Sequence, residues 1–395
     1  MSTTNSGGRS TKRHSSFKGI GINVFLLGAA SFLNDLSSEM IMPILPMFIT
    51  ALGGGGLVVG LIGGVRDSIA SILKVFCGYW SDKKGKRKIF VVSGYFISSI
   101  FKLFIAFSRS WHHVLIFTGL ERIGKGLRTA PRDAIIAESA PQERGKGFGI
   151  HRALDTSGAI LGSTIVFLLY WFFFFGLRSI ILISAGLAFM SLIPLYFVKE
   201  RRKKPVKVRL SIGLKSLPRR LKMFILVSTM FSLANFSYMF FILRSQEFFS
   251  GKFAIGVPIL LYVLFNIFYA LFAVPFGVIS DRVGRKKVIL FGYLLYSFVA
   301  LGFLTVNAAY LLILLFPLYG LVYAIVDGNQ RAYVSDLIEE KYKATALGTF
   351  HTATGLATLP ASVIAGILWQ IDPALTFIYG ALLGLISSAL FTLIR

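Results

Sequence analysis

GYWSDKKGKRK, residues 78–88, returns later in the chain as GVISDRVGRKK, residues 277–287. Gly78/Gly277, Ser81/Ser280, Asp82/Asp281, Gly85/Gly284 and Lys88/Lys287 match at one constant offset, and Arg132/Arg331 and Gly149/Gly348 match at the same offset. Matches spread over several segments at a fixed period mark an internal repeat, so the chain is two halves built alike. Each copy of the motif stands between long apolar runs. The 395 residues are 55% hydrophobic and 15% charged, with 38 Phe, a balance too apolar for a water-soluble enzyme. A helix crosses hydrocarbon with about 20 apolar residues, and the charge here is confined to clusters between runs of that length.

Reading outward from the two motifs gives twelve candidate spans: 21–50, 57–81, 89–108, 112–136, 147–171, 177–198, 220–247, 254–280, 288–306, 309–337, 344–369 and 374–394. The fold expected is all-α, an integral membrane protein of two six-helix pseudo-repeats. An even number of spans puts both termini on one side. The loops there, SDKKGKRK, PQERGKG, ERRKKPVKVRLSIGLKSLPRR, SDRVGRKK and EEKYK, are rich in Lys and Arg, and the opposite loops are poor in them. Basic loops remain cytoplasmic, so both termini are expected in the cytoplasm of a multi-pass cell-membrane protein. The domains expected are a disordered cytoplasmic tail (1–19), a first bundle (20–198), a basic linker (199–219) and a second bundle (220–395). The tail has no apolar h-region and is not a signal peptide.

Several other functions are excluded. GLERIGKGLRTAPRD, residues 119–133, begins as a phosphate-binding loop would, but Gly126 follows Lys125 where magnesium binding needs Ser or Thr. The net charge of +25 suits basic cytoplasmic loops, and no nucleic-acid motif accompanies it. Cys77 is the lone cysteine, so no internal disulfide forms. His112 and His113 have no second ligand cluster nearby, so no metal site is expected, and no cofactor. No nucleophile constellation is assembled, so the chain does not read as an enzyme; a sensor would need an output domain.

The doubled pattern G-x-x-x-D-[RK]-x-G-[RK]-[RK], between spans 2 and 3 and again between 8 and 9, resembles the signature loop of the major facilitator superfamily. The resemblance covers residues 20–395. It implies two six-helix bundles rocking about a central site near the midplane, acting on a small-molecule substrate in a lipid bilayer, as a monomer. LERIGKGLRTA further resembles the fourth-helix motif of proton-linked exporters, with Arg122 and Gly126 in place and Lys125 and Arg128 departing from it. Span 5 carries Gly158 and Gly162 but lacks the Pro of the antiporter motif, so export, uptake by proton symport and passive facilitation all stay open. The resemblance also implies a conformational latch: Gly78, Asp82, Gly85 and Lys86, their counterparts Gly277, Asp281, Gly284 and Arg285, and Asp133 at the end of span 4. It would join the halves when the cavity opens outward. Lys86 stands where an Arg is usual and cannot make a bidentate fork.

Ionisable groups inside the membrane are costly and mark functional sites by default. Asp35 and Glu39 share a face of span 1 at i, i+4. Glu121, Lys125, Arg128 and Arg132 follow at steps of four, three and four on span 4, with Arg122 beside them. Asp67 lies on span 2 next to Arg66, and Asp327 on span 10. The cavity expected is lined by Asp35, Glu39, Asp67, Glu121, Arg122, Lys125, Arg128 and Asp327, with Asp35 the leading proton-coupling carboxylate, Glu39 second and Arg122 the cationic partner. The alternative is a static ion-pair network. Lys102 on span 3 is expected to reach towards the membrane surface. Cations outnumber acids among the first half's intramembrane charges, which points to an anionic solute. Tyr238, Tyr262 and Tyr323 are candidates for binding an amphipathic one.

Overall fold

The computed structural model describes residues 21–140, 143–200, 217–339 and 342–394, without the side chains of Asp82, Arg144 and Ala344. The expected tail (1–19), most of the linker and the Asp82 carboxylate of the latch lie outside the described residues. Every regular element described is helical. Eleven stretches are long and apolar enough to cross a membrane. The remaining long helix, Trp111–Ser139 (29 residues), falls short because Glu121, Arg122, Lys125, Arg128, Arg132, Asp133 and Glu138 crowd it from Glu121 onwards. It packs along its neighbours as the others do and is the fourth of twelve spans.

Span 1 is Ile22–Ile41 with Leu45–Ala51, span 2 Gly56–Lys84, span 3 Arg87–Ala106, span 4 Trp111–Ser139, span 5 Arg144–Trp171 and span 6 Leu177–Met190 with Leu192–Phe197. Span 7 is Arg219–Ala234 with Met239–Gln246, span 8 Phe253–Val283, span 9 Arg285–Thr305, span 10 Leu312–Asp336, span 11 Lys343–Ile371 and span 12 Pro373–Leu393. The break in span 1 has a local cause. Pro46 has no N–H to return to the carbonyl of Met42, and Tyr238 Oη, from the broken stretch of span 7, donates to that carbonyl at 3.0 Å. A freed backbone acceptor in one half is thus satisfied by a side chain from the other.

The packing repeats as the sequence does. Span 1 lies on 5, 3 on 4, 2 on 4, 3 on 6 and 1 on 6; correspondingly 7 lies on 11, 9 on 10, 8 on 10, 9 on 12 and 7 on 12. Between the halves, span 2 meets 11 and span 5 meets 8, which are equivalent contacts under the repeat. The crossing of spans 1 and 5 is set by glycine: a Cβ on Gly158 would lie 2.4 Å from the Phe32 carbonyl oxygen, and one on Gly162 2.3 Å from that of Leu36. The repeat puts buried Ala357 and Ala361 at the matching places of span 11.

Away from the basic loops the halves are fused. Met40, Ile44, Phe48 and Ile62 of the first half pack in one buried cluster with Met239, Leu243 and Ile259 of the second. Lys102 departs from expectation. It is buried (1% exposed), and its Nζ donates to Ser38 Oγ (2.9 Å), Ser37 Oγ (3.0 Å) and the Asn34 carbonyl (3.2 Å). A polar patch on span 1 holds the ammonium inside the bundle, where a flexible stem would otherwise carry it to the surface.

Candidate functional site: a divided cavity between the halves

Two neighbouring chambers lie between the halves, with Lys125 in the wall of both. The chamber nearer the fused end, about 480 Å³, is lined by Glu39, Met42, Asp67 and Lys125 from the first half. The second half adds Phe231, Asn235, Tyr238, Tyr262, Phe265, Asn266, Tyr269, Tyr323, Asp327 and Gln330. Glu39 Oε2 accepts from Tyr262 Oη at 2.8 Å and from Asn266 Nδ2 at 3.4 Å. Tyrosines present an apolar body and one polar tip, so this chamber is greasy walled with a few directed hydroxyls and amides.

The chamber nearer the basic loops, about 450 Å³, is lined by Asp35, Lys74, Lys125, Arg128, Arg132, Asp133, His151, Arg152, Asp155 and Arg331. Here the cations outnumber the acids. Asp35 and Asp155, from the two spans that glycine brings together, both line this chamber, close enough for their carboxyl groups to interact. Asp155 also accepts from Ser31 Oγ (2.7 Å) and Arg152 (3.3 Å), and Ser31 accepts from Arg132 (3.1 Å). A chain of polar contacts then crosses to the second half. Arg152 donates to Tyr269 Oη (3.0 Å), Tyr269 to Asp327 (3.1 Å), and Asp327 pairs with Arg331 (2.7 Å). Arg128 rests 4.3 Å above the Tyr95 ring and donates to Ser98. Lys125 makes no ion pair among the described residues, while Asp35, Glu39 and Asp67 all feel its charge.

Six of the eight residues expected on the cavity line it: Asp35, Glu39, Asp67, Lys125, Arg128 and Asp327. Glu121 and Arg122 do not. Both are buried, and they pair with each other at 2.9 Å. Met42, which does line the chamber, lies against Arg122. No ion pair joins Arg122 to Asp35 among the described residues. The facing partner of Asp35 is a second acid, Asp155, whose place opposite span 1 depends on a helix crossing that spacing along one segment does not reveal. Tyr238, Tyr262 and Tyr323 do line the chamber.

At the basic face the motif glycines have backbone reasons. Gly85 and Gly284 take φ of +62° and +102°, a region that suits glycine. The serines repeat as well: Ser81 and Ser280 donate back to the carbonyls of Gly78 and Gly277. Gly78 lies against Ala130, whereas Gly277 has open space around it. The charged members pair within their own halves, Arg285 with Asp281 (2.8 Å) and with Asp336, and Asp133 with Arg132 (2.9 Å). Lys86 is exposed.

The fold and this divided central cavity can be set beside known proteins. The family model described as Major Facilitator Superfamily matches residues 27–262 and 223–395. The chain belongs to this superfamily. It is 58% identical over 372 residues to an uncharacterised MFS-type transporter of Methanocaldococcus jannaschii, covering 93% of this chain and 94% of the relative. It is 29% identical over 187 residues to a multidrug resistance protein, MdtG, of a Rahnella strain, covering 45% of this chain and 44% of that one. In three dimensions it is similar to the crystal structure of the nucleoside transporter NupG, with a TM-score of 0.77 and 16% identity over 94% of this chain and 98% of that one. The superfamily member is a multi-pass membrane transporter, not an enzyme.

Proposed function

We propose that the protein is a proton-coupled secondary transporter that moves a small anionic or amphipathic solute across the cell membrane by alternating access, as a monomer with both termini cytoplasmic. The Asp35–Asp155 contact carries this reading. Two carboxylates brought close together repel unless they share a proton, which supports reading the pair as a proton site. Water favours the charged form of such a group and burial the neutral form. A pair wetted alternately from the two sides of the membrane therefore loads and releases a proton once per cycle. Glu39, hydrogen-bonded to the second half through Tyr262 and Asn266, links the same helix to the solute chamber and is the second titrating group.

The fused end and the half-by-half pairing of the motif charges support a cavity facing the basic, cytoplasmic side. On switching, Asp82, Lys86 and Asp133 would meet the Asp281 and Arg285 region and hold the halves together on that face. We put export first, a direction that the partial similarity to a multidrug resistance protein favours. The absence of Pro from span 5 favours the alternative, uptake by symport or facilitation.

Proteoliposomes with an imposed pH gradient decide between them. Solutes that move with or against protons are identified by screening drugs, organic acids and metal-chelating metabolites. Asp35→Asn is expected to abolish gradient-driven transport in a protein that still folds; full retained coupling would discard the assignment.

A further inference from the structure

Behind the wall of the aromatic chamber, two guanidinium groups converge on an atom that suits neither. Arg66 and Arg122 are 4% and 5% exposed. Arg66 Nη2 lies 2.9 Å from Met42 Sδ, Arg122 Nη2 3.8 Å from it, and Tyr238 Oη 3.0 Å from it. A thioether is a weak acceptor, whereas buried guanidinium normally finds an oxyanion. Glu121 meets Nε of Arg122 at 2.9 Å, in a geometry that leaves that N–H without a hydrogen bond. Glu39 and Asp67 share the field of Arg66, but neither comes within ion-pair distance of it. The hydroxyl of Tyr238 has the Met42 carbonyl as its acceptor, but two guanidinium groups are aimed at one point whose occupant cannot satisfy them. Met42 is also part of the chamber wall, at the break in span 1, and methionine is the most readily repositioned of the large apolar side chains.

Building on the transporter reading, we propose that Met42 occupies the seat of the substrate's oxyanion. The substrate class is a small organic acid, carrying a carboxylate, phosphate or sulfonate on an apolar or aryl body. Its anionic group displaces the thioether and takes the N–H groups of Arg66 and Arg122; its body lies against Tyr262, Phe265 and Tyr323. Arg122 is then a substrate anchor.

The test uses the full chain in detergent and reads thermal unfolding, so it stands apart from the transport assay and can fail while proton-coupled transport survives. Met42→Glu and Met42→Gln differ only in charge and in one oxygen for one amide. A tethered carboxylate at this point is expected to melt higher than the amide, by about 1 °C for each kcal/mol gained in a chain of this size. In the wild type at constant ionic strength, benzoate and phenyl phosphate are expected to raise the melting temperature and benzamide to leave it unchanged. Met42→Glu, its site filled from within, is expected to lose that response, and Arg66→Gln to weaken it at least about tenfold in apparent affinity. A Met42→Glu variant that melts at or below Met42→Gln overturns the proposal, as does a wild type that responds to benzamide as it does to benzoate, or to neither oxyanion.

Discussion

The two halves share a fold and a packing scheme, yet they contribute opposite chemistry to the space between them. The first half supplies most of the charge: Asp35, Glu39, Asp67, Lys125, Arg128, Arg132 and Asp155. The second supplies rings and amides, Tyr238, Tyr262, Phe265, Tyr269, Tyr323, Asn235, Asn266 and Gln330, with Asp327 and Arg331 as its main charges. The backbone differs in the same sense. Spans 1 and 5 approach so closely that only glycine fits at Gly158 and Gly162, whereas spans 7 and 11 cross over alanine. Close approach is what lets two acids from different helices meet. The repeat therefore fixes where helices lie, and small local substitutions decide which half brings charge to the cavity and which brings rings and amides.

Exchanging the small residues should break this contrast most severely. Gly162→Ala places a methyl group 2.3 Å from a carbonyl oxygen and should cost about 1–3 kcal/mol by overpacking, separating Asp35 from Asp155 as it does so. The matching Ala361→Gly should cost only about 1 kcal/mol. Melting curves of the two variants give the comparison, and equal losses would show that the crossings are equivalent after all. Lys102→Met comes next. It removes a buried ammonium and strands the oxygens of Asn34, Ser37 and Ser38, at about 1–3 kcal/mol, again read by thermal unfolding. A neutral or stabilising result would mean that those oxygens find other partners. The smallest effect is expected in the second half, where Tyr262→Phe removes one hydrogen bond to Glu39. Solute affinity should fall several-fold, in line with about 0.5–1.5 kcal/mol for a typical hydrogen bond, with proton coupling retained. A loss of coupling equal to that of Asp35→Asn would merge the two roles that the halves divide.

The repeat and the apolar runs make the twelve helices legible in the amino-acid sequence, because hydrocarbon leaves the backbone few options. Span 4 is readable only through its neighbours and its charged stripe, since composition alone disqualifies it. The charges are legible as a set and not as pairs. Asp35 and Asp155 are far apart in sequence, and their meeting depends on two glycines whose purpose appears only when span 1 lies against span 5. Arg122 is found by its motif, but the methionine in front of it carries no charge to announce itself. Lys102 escapes a linear reading because a long side chain on an isolated helix has only the membrane surface to reach, whereas in the bundle it has span 1.

The central claim is that Asp35 and Asp155 hold a shared proton that moves with the transport cycle. Infrared difference spectroscopy of the purified protein, titrated with acid and base, tests it most directly. The account predicts a protonated-carboxyl band that disappears on alkalinisation and is lost in both Asp35→Asn and Asp155→Asn. A band unchanged in either variant, or no titrating carboxyl at all, contradicts it.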